Sequence, residues 1–166
     1  ALESPRARDV LLEAAAWLEA GAWTRDPALK DLRNGRADAY AADVLEHRRQ
    51  QMKKRAKHFA DLDAHARHKL RLKGKTLRYA AEDLAVLFPD HPKRAEAFIE
   101  ASKLVQDRLG ELNDRSVREA LVETAAHGDA MLARDAARVV LADDQGDLLK
   151  AASKALDDLL DAKPFW

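Results

Sequence analysis

From Asp63 to Phe88 the chain lays down two stripes of opposite chemistry that only a helix can separate. At the helical step, Leu70, Leu77, Ala81, Leu84 and Phe88 fall roughly 160–220° around from His68. His68, Arg71, Lys75, Arg78, Tyr79 and Glu82 share an arc of roughly 100° on the other side. The apolar stripe needs a partner layer to bury it, which directs the His/Arg/Lys face away from that core. No alternating strand pattern occurs anywhere in the sequence, so the partner layer must be other helices.

The rest of the chain supplies them. Ser4-Pro5 ahead of Val10, Leu11, Ala14, Ala15 and Leu18 predicts a capped helix ending near Gly21, with Trp17 in the core. Residues 21–36 hold Gly21, Pro27, Asn34 and Gly35 and read as an irregular connection with room for one short turn. A long helix is expected from Ala37 to His58 or Phe59, with Tyr40, Ala41, Val44, Leu45, Met52 and Phe59 as its apolar members. Arg48 and Arg55 lie close to that seam, and either snorkel outward along their own stems or face a polar cleft. Asp63 is the expected N-cap of the two-striped helix, and Pro89-Asp90-His91-Pro92 stops it.

Pro92 opens the next helix, with Ala95, Phe98, Ile99, Val105, Leu109 and Leu112 on one stripe and an end or bend between Gly110 and Asn113. Helices over 114–126, 129–141 and 147–161 complete the chain, divided by Gly128 and by Asp143-Asp144-Gln145-Gly146. The expectation is one all-α domain over residues 1–166, an antiparallel bundle of about six to seven helices.

Lysine plus arginine and aspartate plus glutamate balance at 29 each, which taken alone argues against a polyanionic partner. The distribution argues for one. From Arg48 to Arg78 there are 12 lysines and arginines against Asp61 and Asp63, while the last 32 residues hold seven aspartates against four cations. Such asymmetry focuses positive potential on a neutral molecule. The absence of cysteine rules out disulfides, iron–sulfur clusters, thiolate zinc and cysteine nucleophiles. No apolar run approaches the roughly 20 residues that span a bilayer, and Ala1-Leu2-Glu3-Ser4-Pro5 has no signal-peptide pattern. A cytoplasmic protein with no membrane attachment is expected. The first residue is not methionine, as in a processed chain or a fragment. Neither a Gly-x-Ser-x-Gly elbow nor a Gly-x-x-x-x-Gly-Lys phosphate loop occurs, so the expectation is a non-enzyme without a cofactor.

A basic helical stripe is commonly a solvated surface and nothing more. Here cations three and four residues apart repel by some tenths of a kcal/mol per pair, and on that face Glu82 alone offsets them. A helix shaped only for solubility mixes its signs. Lys69 and Lys73 add charge on the flank. Gly74 costs roughly 1 kcal/mol of helix propensity, which fits close approach of either a neighbouring helix or a ligand. Arginine presents a planar fork to two phosphoryl oxygens, and lysine a compact charge that tolerates many positions. Successive cations rise by about 4.5–6 Å along the axis, so the pattern suits a linear phosphate polymer.

The segment His68-Lys69-Leu70-Arg71-Leu72-Lys73-Gly74-Lys75-Thr76-Leu77-Arg78-Tyr79-Ala80-Ala81-Glu82 resembles the signature helix of the conserved histidine α-helical domain, or CHAD, family. Leu104-Val105-Gln106-Asp107-Arg108-Leu109-Gly110-Glu111-Leu112-Asn113-Asp114 is similar to a second family segment, and Lys163-Pro164-Phe165-Trp166 to the family's end, so the resemblance covers nearly the whole chain. The resemblance implies a domain of two four-helix bundles about a pseudo-twofold, with inorganic polyphosphate held between them. One signature helix, over about 63–88, then implies the C-terminal half, completed by an N-terminal half or by a second copy in a homodimer. It implies phosphate contacts from His68, Arg71, Lys75 and Arg78, and Tyr79 and Glu82 are assigned to positioning them. Arg48, Arg55, Lys57 and His58 are secondary candidates on the preceding helix. Association with polyphosphate granules is a further implication.

Other clusters are weaker. Asp107, Glu111 and Asp114 share a face, and His65 and His68 are three apart, but neither set has the ligands a metal needs, so no metal is expected. Asn113 and Asp114 are expected to cap a following helix or to anchor an arginine or lysine. The His68 imidazole gains charge beside phosphate, so binding is expected to strengthen as pH falls below about 7. Trp17, Trp23 and Trp166 do not interleave with the basic run, leaving nucleic acid as the second choice of ligand and a structural interaction bundle as the third reading.

Overall fold

A computed structural model describes residues 4–126, 134 and 145–166, and every regular element among them is helical. The chain divides into two compact units, Ala1–Tyr40 and Ala41–Trp166.

In the first unit, α1 (Pro5–Ala20) starts where the Ser4 hydroxyl accepts the Ala7 N–H at 3.2 Å, and ends where the Gly21 N–H donates to the Trp17 carbonyl. No residue of α1 is buried. Trp17 is 60% exposed, which corrects its expected core position. Its ring lies tilted on Trp23, centroids 5.9 Å apart, and its carbonyl accepts the Trp23 indole N–H. Helical periodicity identifies which side of a helix is apolar, but not whether another element covers it. Residues 21–36 hold more structure than a single turn. Two 3-10 turns (Ala22–Thr24, Pro27–Leu29) lead into the short helix α2 (Lys30–Asn34), with the Asp26 carboxylate accepting the Ala28 N–H. Tyr40, expected in the core, is also exposed.

The second unit is built on four helices. α3 (Ala37–Ala56) is followed by His58 in the left-handed region (φ 56°) and a 3-10 turn at Phe59–Asp61. α4 (Ala64–Leu84) opens on Asp63, whose carboxylate accepts the Ala66 N–H at 2.7 Å, and gives way to a 3-10 turn at Ala85–Leu87. α5 (Pro92–Ala126) and α6 (Gln145–Asp161) complete it. The helix end expected between Gly110 and Asn113 is absent, because α5 runs unbroken through both residues. Leu109 and Leu112 are buried there, and their packing outweighs the roughly 1 kcal/mol a mid-helix glycine costs. Asn113 and Asp114 therefore cap no new helix. The helix expected over 129–141, and the divisions at Gly128 and Asp143-Asp144, lie outside the described residues.

α4 packs along α5, and α5 along α6, around Leu45, Met52, Leu70, Leu77, Phe98, Val105, Leu156 and Leu159. Leu84 and Phe88 of the predicted stripe are partly buried against this core. Gly74 is buried, and a Cβ there would stand 3.2 Å from Met52 Cε and 3.9 Å from Val105 Cγ1. The glycine thus serves the approach of α3 and α5. Arg49 ties α3 to α6 by donating to the Leu160 carbonyl in the last turn, where a cation meets the negative end of the helix. Phe165 is buried, edge-on to Phe88, Phe98 and Trp166. No helix among the described residues is long and apolar enough to cross a membrane.

Candidate functional site

The cationic side of α4 lies along α5, and two contacts and one electrostatic coupling set the register. His68 Nδ1 lies 3.2 Å from Asn113 Oδ1. A Cβ on Gly110 would stand 3.9 Å from Arg71 Nε. Lys103 feels the charges of Glu82 and Arg78. A step of three residues from His68 to Arg71 matches three back from Asn113 to Gly110, and seven from Arg71 to Arg78 match seven back from Gly110 to Lys103. The helices are therefore antiparallel, and the same step sets Lys75 opposite Gln106.

Local chemistry differs along this seam. An amide oxygen only accepts, so Asn113 holds His68 with Nδ1–H as the donor and leaves Nε2 for other partners. Arg71 runs over Gly110, and its Nε is buried without an acceptor. Arg78 donates to Glu82 at 2.8 Å and lies 4.5 Å from the Tyr79 ring centroid, with Lys75 at 5.6 Å from the same ring. Hydrogen bonding to Glu100, with Glu82 adding, holds the Lys103 ammonium above its usual range. Lys69 and Asp114 are exposed.

The other flank of α4 faces α3. Lys73 donates to Gln51 Oε1 at 2.9 Å. Around that bond lie two adjoining clefts, one of about 460 Å³ lined by Gln51, Lys54, Arg55 and Lys73, the other of about 400 Å³ lined by Asp43, Val44, His47, Arg48, Gln51 and Lys73. Arg48 and Arg55 thus border clefts lined chiefly by charged and amide side chains. Lys57 lies beyond the end of α3, beside Gln50, Lys53 and Lys54, and His58 makes the left-handed turn that follows. The α5-facing set and the α3-facing set are on different flanks of α4.

Sequence reasoning missed the α5 wall: Lys103, Gln106 and Gly110 were not singled out as site residues. Their spacing with Asn113 places all four within an arc of roughly 80°, a signal that was available but had no meaning until α5 was known to be continuous. Among the described residues, no group of three or more His, Asp or Glu could share a metal ion, and Glu111 pairs with Arg108 instead.

Gly110→Ala tests the packing of this wall. The new methyl would meet Arg71 at ordinary contact distance. The substitution is expected to stabilise by about 0.5–1 kcal/mol through helix propensity, read as a small rise in Tm. Loss of Tm would mean that α5 does not run through Gly110 as a regular helix.

No curated protein and no solved structure matches the chain. A family model for the CHAD domain matches residues 1–123, a span that includes both walls of the α4–α5 seam and stops short of Lys163-Pro164-Phe165-Trp166. With the signature helix formed, its His68 held by Asn113, and most of its length matched, the chain belongs to the CHAD domain family.

Proposed function

We propose that this chain is a non-catalytic polyanion-binding module whose ligand is inorganic polyphosphate, working in the cytoplasm as a targeting or scaffold element on stores of that polymer. The observation that carries the reading is a contrast among its cations. Arg49, Arg78, Lys103, Arg108 and Arg115 each face a glutamate on their own helix. Arg71, Lys75, Lys69, Arg48, Arg55 and Lys57 have no carboxylate within ion-pair distance among the described residues. Unpaired cations a helical turn apart repel one another, and a polyanion laid across them turns that repulsion into attraction. Arg71, Lys75 and Arg78 supply the planar forks and point charge suited to phosphoryl oxygens.

Calorimetric titration with medium-chain polyphosphate at two salt concentrations, beside a DNA oligomer, tests the proposal. Tight binding that weakens steeply with salt, and polyphosphate displacing DNA at low concentration, are the expected results. Absence of binding by folded protein, or a preference for DNA, would overturn it. The resemblance implies two signature helices per complete site. We propose that a second copy, or a separate N-terminal half, supplies the other, and sedimentation with and without polyphosphate reads that association directly.

A further inference from the structure

We propose that Gln106 of α5 is a ligand-binding residue of the same anion site, donating its side-chain amide to a phosphoryl oxygen held by Arg71 and Lys75. This rests on the polyanion reading given above and adds a second wall to it. The register of α4 against α5 sets Gln106 opposite Lys75, one turn of α5 from Gly110 and so next to the place where Arg71 crosses. Among the described residues Gln106 Nε2 is buried with no hydrogen-bond partner, as are Arg71 Nε and Arg78 Nε in this seam and Arg48 Nε and Arg49 Nε on α3.

Three N–H donors in one seam with no acceptor among them form an unusual cluster. Each carries the desolvation cost of an unmade hydrogen bond, and a fold that keeps several together gains nothing from them unligated. A phosphate anion can answer all three, because its oxygens only accept. A neutral amide among cations also suits a repeating polymer, since it adds a directed hydrogen bond without adding to the repulsion along α4. Gly110 removes the side chain that would otherwise stand between Gln106 and Asn113 on this wall. The bound polymer accordingly lies in the seam between the two helices, against both walls.

Gln106→Leu tests this, because leucine keeps the approximate volume and removes the amide. The expected result pairs two opposite readouts: polyphosphate affinity falls by about three- to tenfold, as for loss of one hydrogen bond to a charged group, while Tm is unchanged or higher because a buried unsatisfied donor is gone. Lys154→Gln, at an exposed position on α6, controls for general effects of surface substitution and is expected to bind as wild type. Wild-type affinity in Gln106→Leu would overturn the assignment. So would a fall in Tm together with affinity, which would mean that the amide holds an arginine in place. If wild type itself fails to bind polyphosphate, the polyanion reading and this assignment fall together; if Arg71→Ala weakens binding and Gln106→Leu does not, this assignment falls alone.

Discussion

Replacing Arg71, Lys75 and Arg78 together by alanine is expected to weaken polyphosphate binding by about 100-fold or more at moderate salt, because hydrogen bonds to charged groups are each worth about 1.5–3 kcal/mol. The dependence of affinity on salt should flatten at the same time, since fewer counterions are exchanged when fewer cations meet the polymer. The fold is expected to survive. Of the three, among the described residues, Arg78 alone has an ion pair, to Glu82 one helical turn away, and pairs of that kind contribute about 0.3–0.5 kcal/mol. Removing three neighbouring like charges also relieves repulsion along α4. Calorimetry gives the affinity, and circular dichroism shows whether the helices remain. Affinity within twofold of wild type, in a folded variant, would move the site off this helix, with the α3-facing set of Arg48, Arg55 and Lys73 as the next place to look.

Phe165→Ala is expected to destabilise the second unit by about 3–5 kcal/mol, the range for emptying a large aromatic site in a core. Phe165 has no exposed surface, and its ring stands edge-on to Phe88, Phe98 and Trp166 at centroid distances of 5.6, 5.9 and 5.0 Å. Those rings come from the segment after α4, from α5 and from the chain end, so a single cavity loosens three parts of the structure. For a chain of this length the fall in Tm should be roughly 6–20 °C. Thermal and urea denaturation measure it. A change of less than about 2 °C would mean that the five residues after α6 are not part of the core.

Much of this architecture was legible in the sequence because it follows from periodicity and local hydrogen bonding. Ser4 and Asp63 cap the helices they were expected to cap, since a short polar side chain ahead of a helix satisfies an N–H that has no partner within it. Leu70, Leu77 and Ala81 are buried where the stripe placed them. The failures share one cause. Trp17 and Tyr40 sit on apolar stripes and are exposed, and the chain was expected to break between Gly110 and Asn113 yet does not, because burial depends on a neighbour that no local window contains.

The site divides in the same way. His68, Arg71, Lys75 and Arg78 were picked out as candidates from their own spacing, and in the structure Arg78 lies over the Tyr79 ring and pairs with Glu82. Gln106 stood inside the second family segment without a role and Lys103 was not singled out, because a residue becomes part of a seam only through the register of a second helix. Gly74 shows the same limit: its sequence context permitted either a helix or a ligand close by, and Met52 and Val105 occupy the space. By itself, then, the sequence determined the helices, their caps, the buried stripe of α4 and the cations opposite it, since each depends on residues within a turn or two. Only the tertiary structure decided that α5 runs unbroken, that Asn113 meets His68, and that the cations divide between an α5 flank and an α3 flank. Those outcomes depend on packing between residues tens of positions apart, where volume and register, rather than local preference, select the partner.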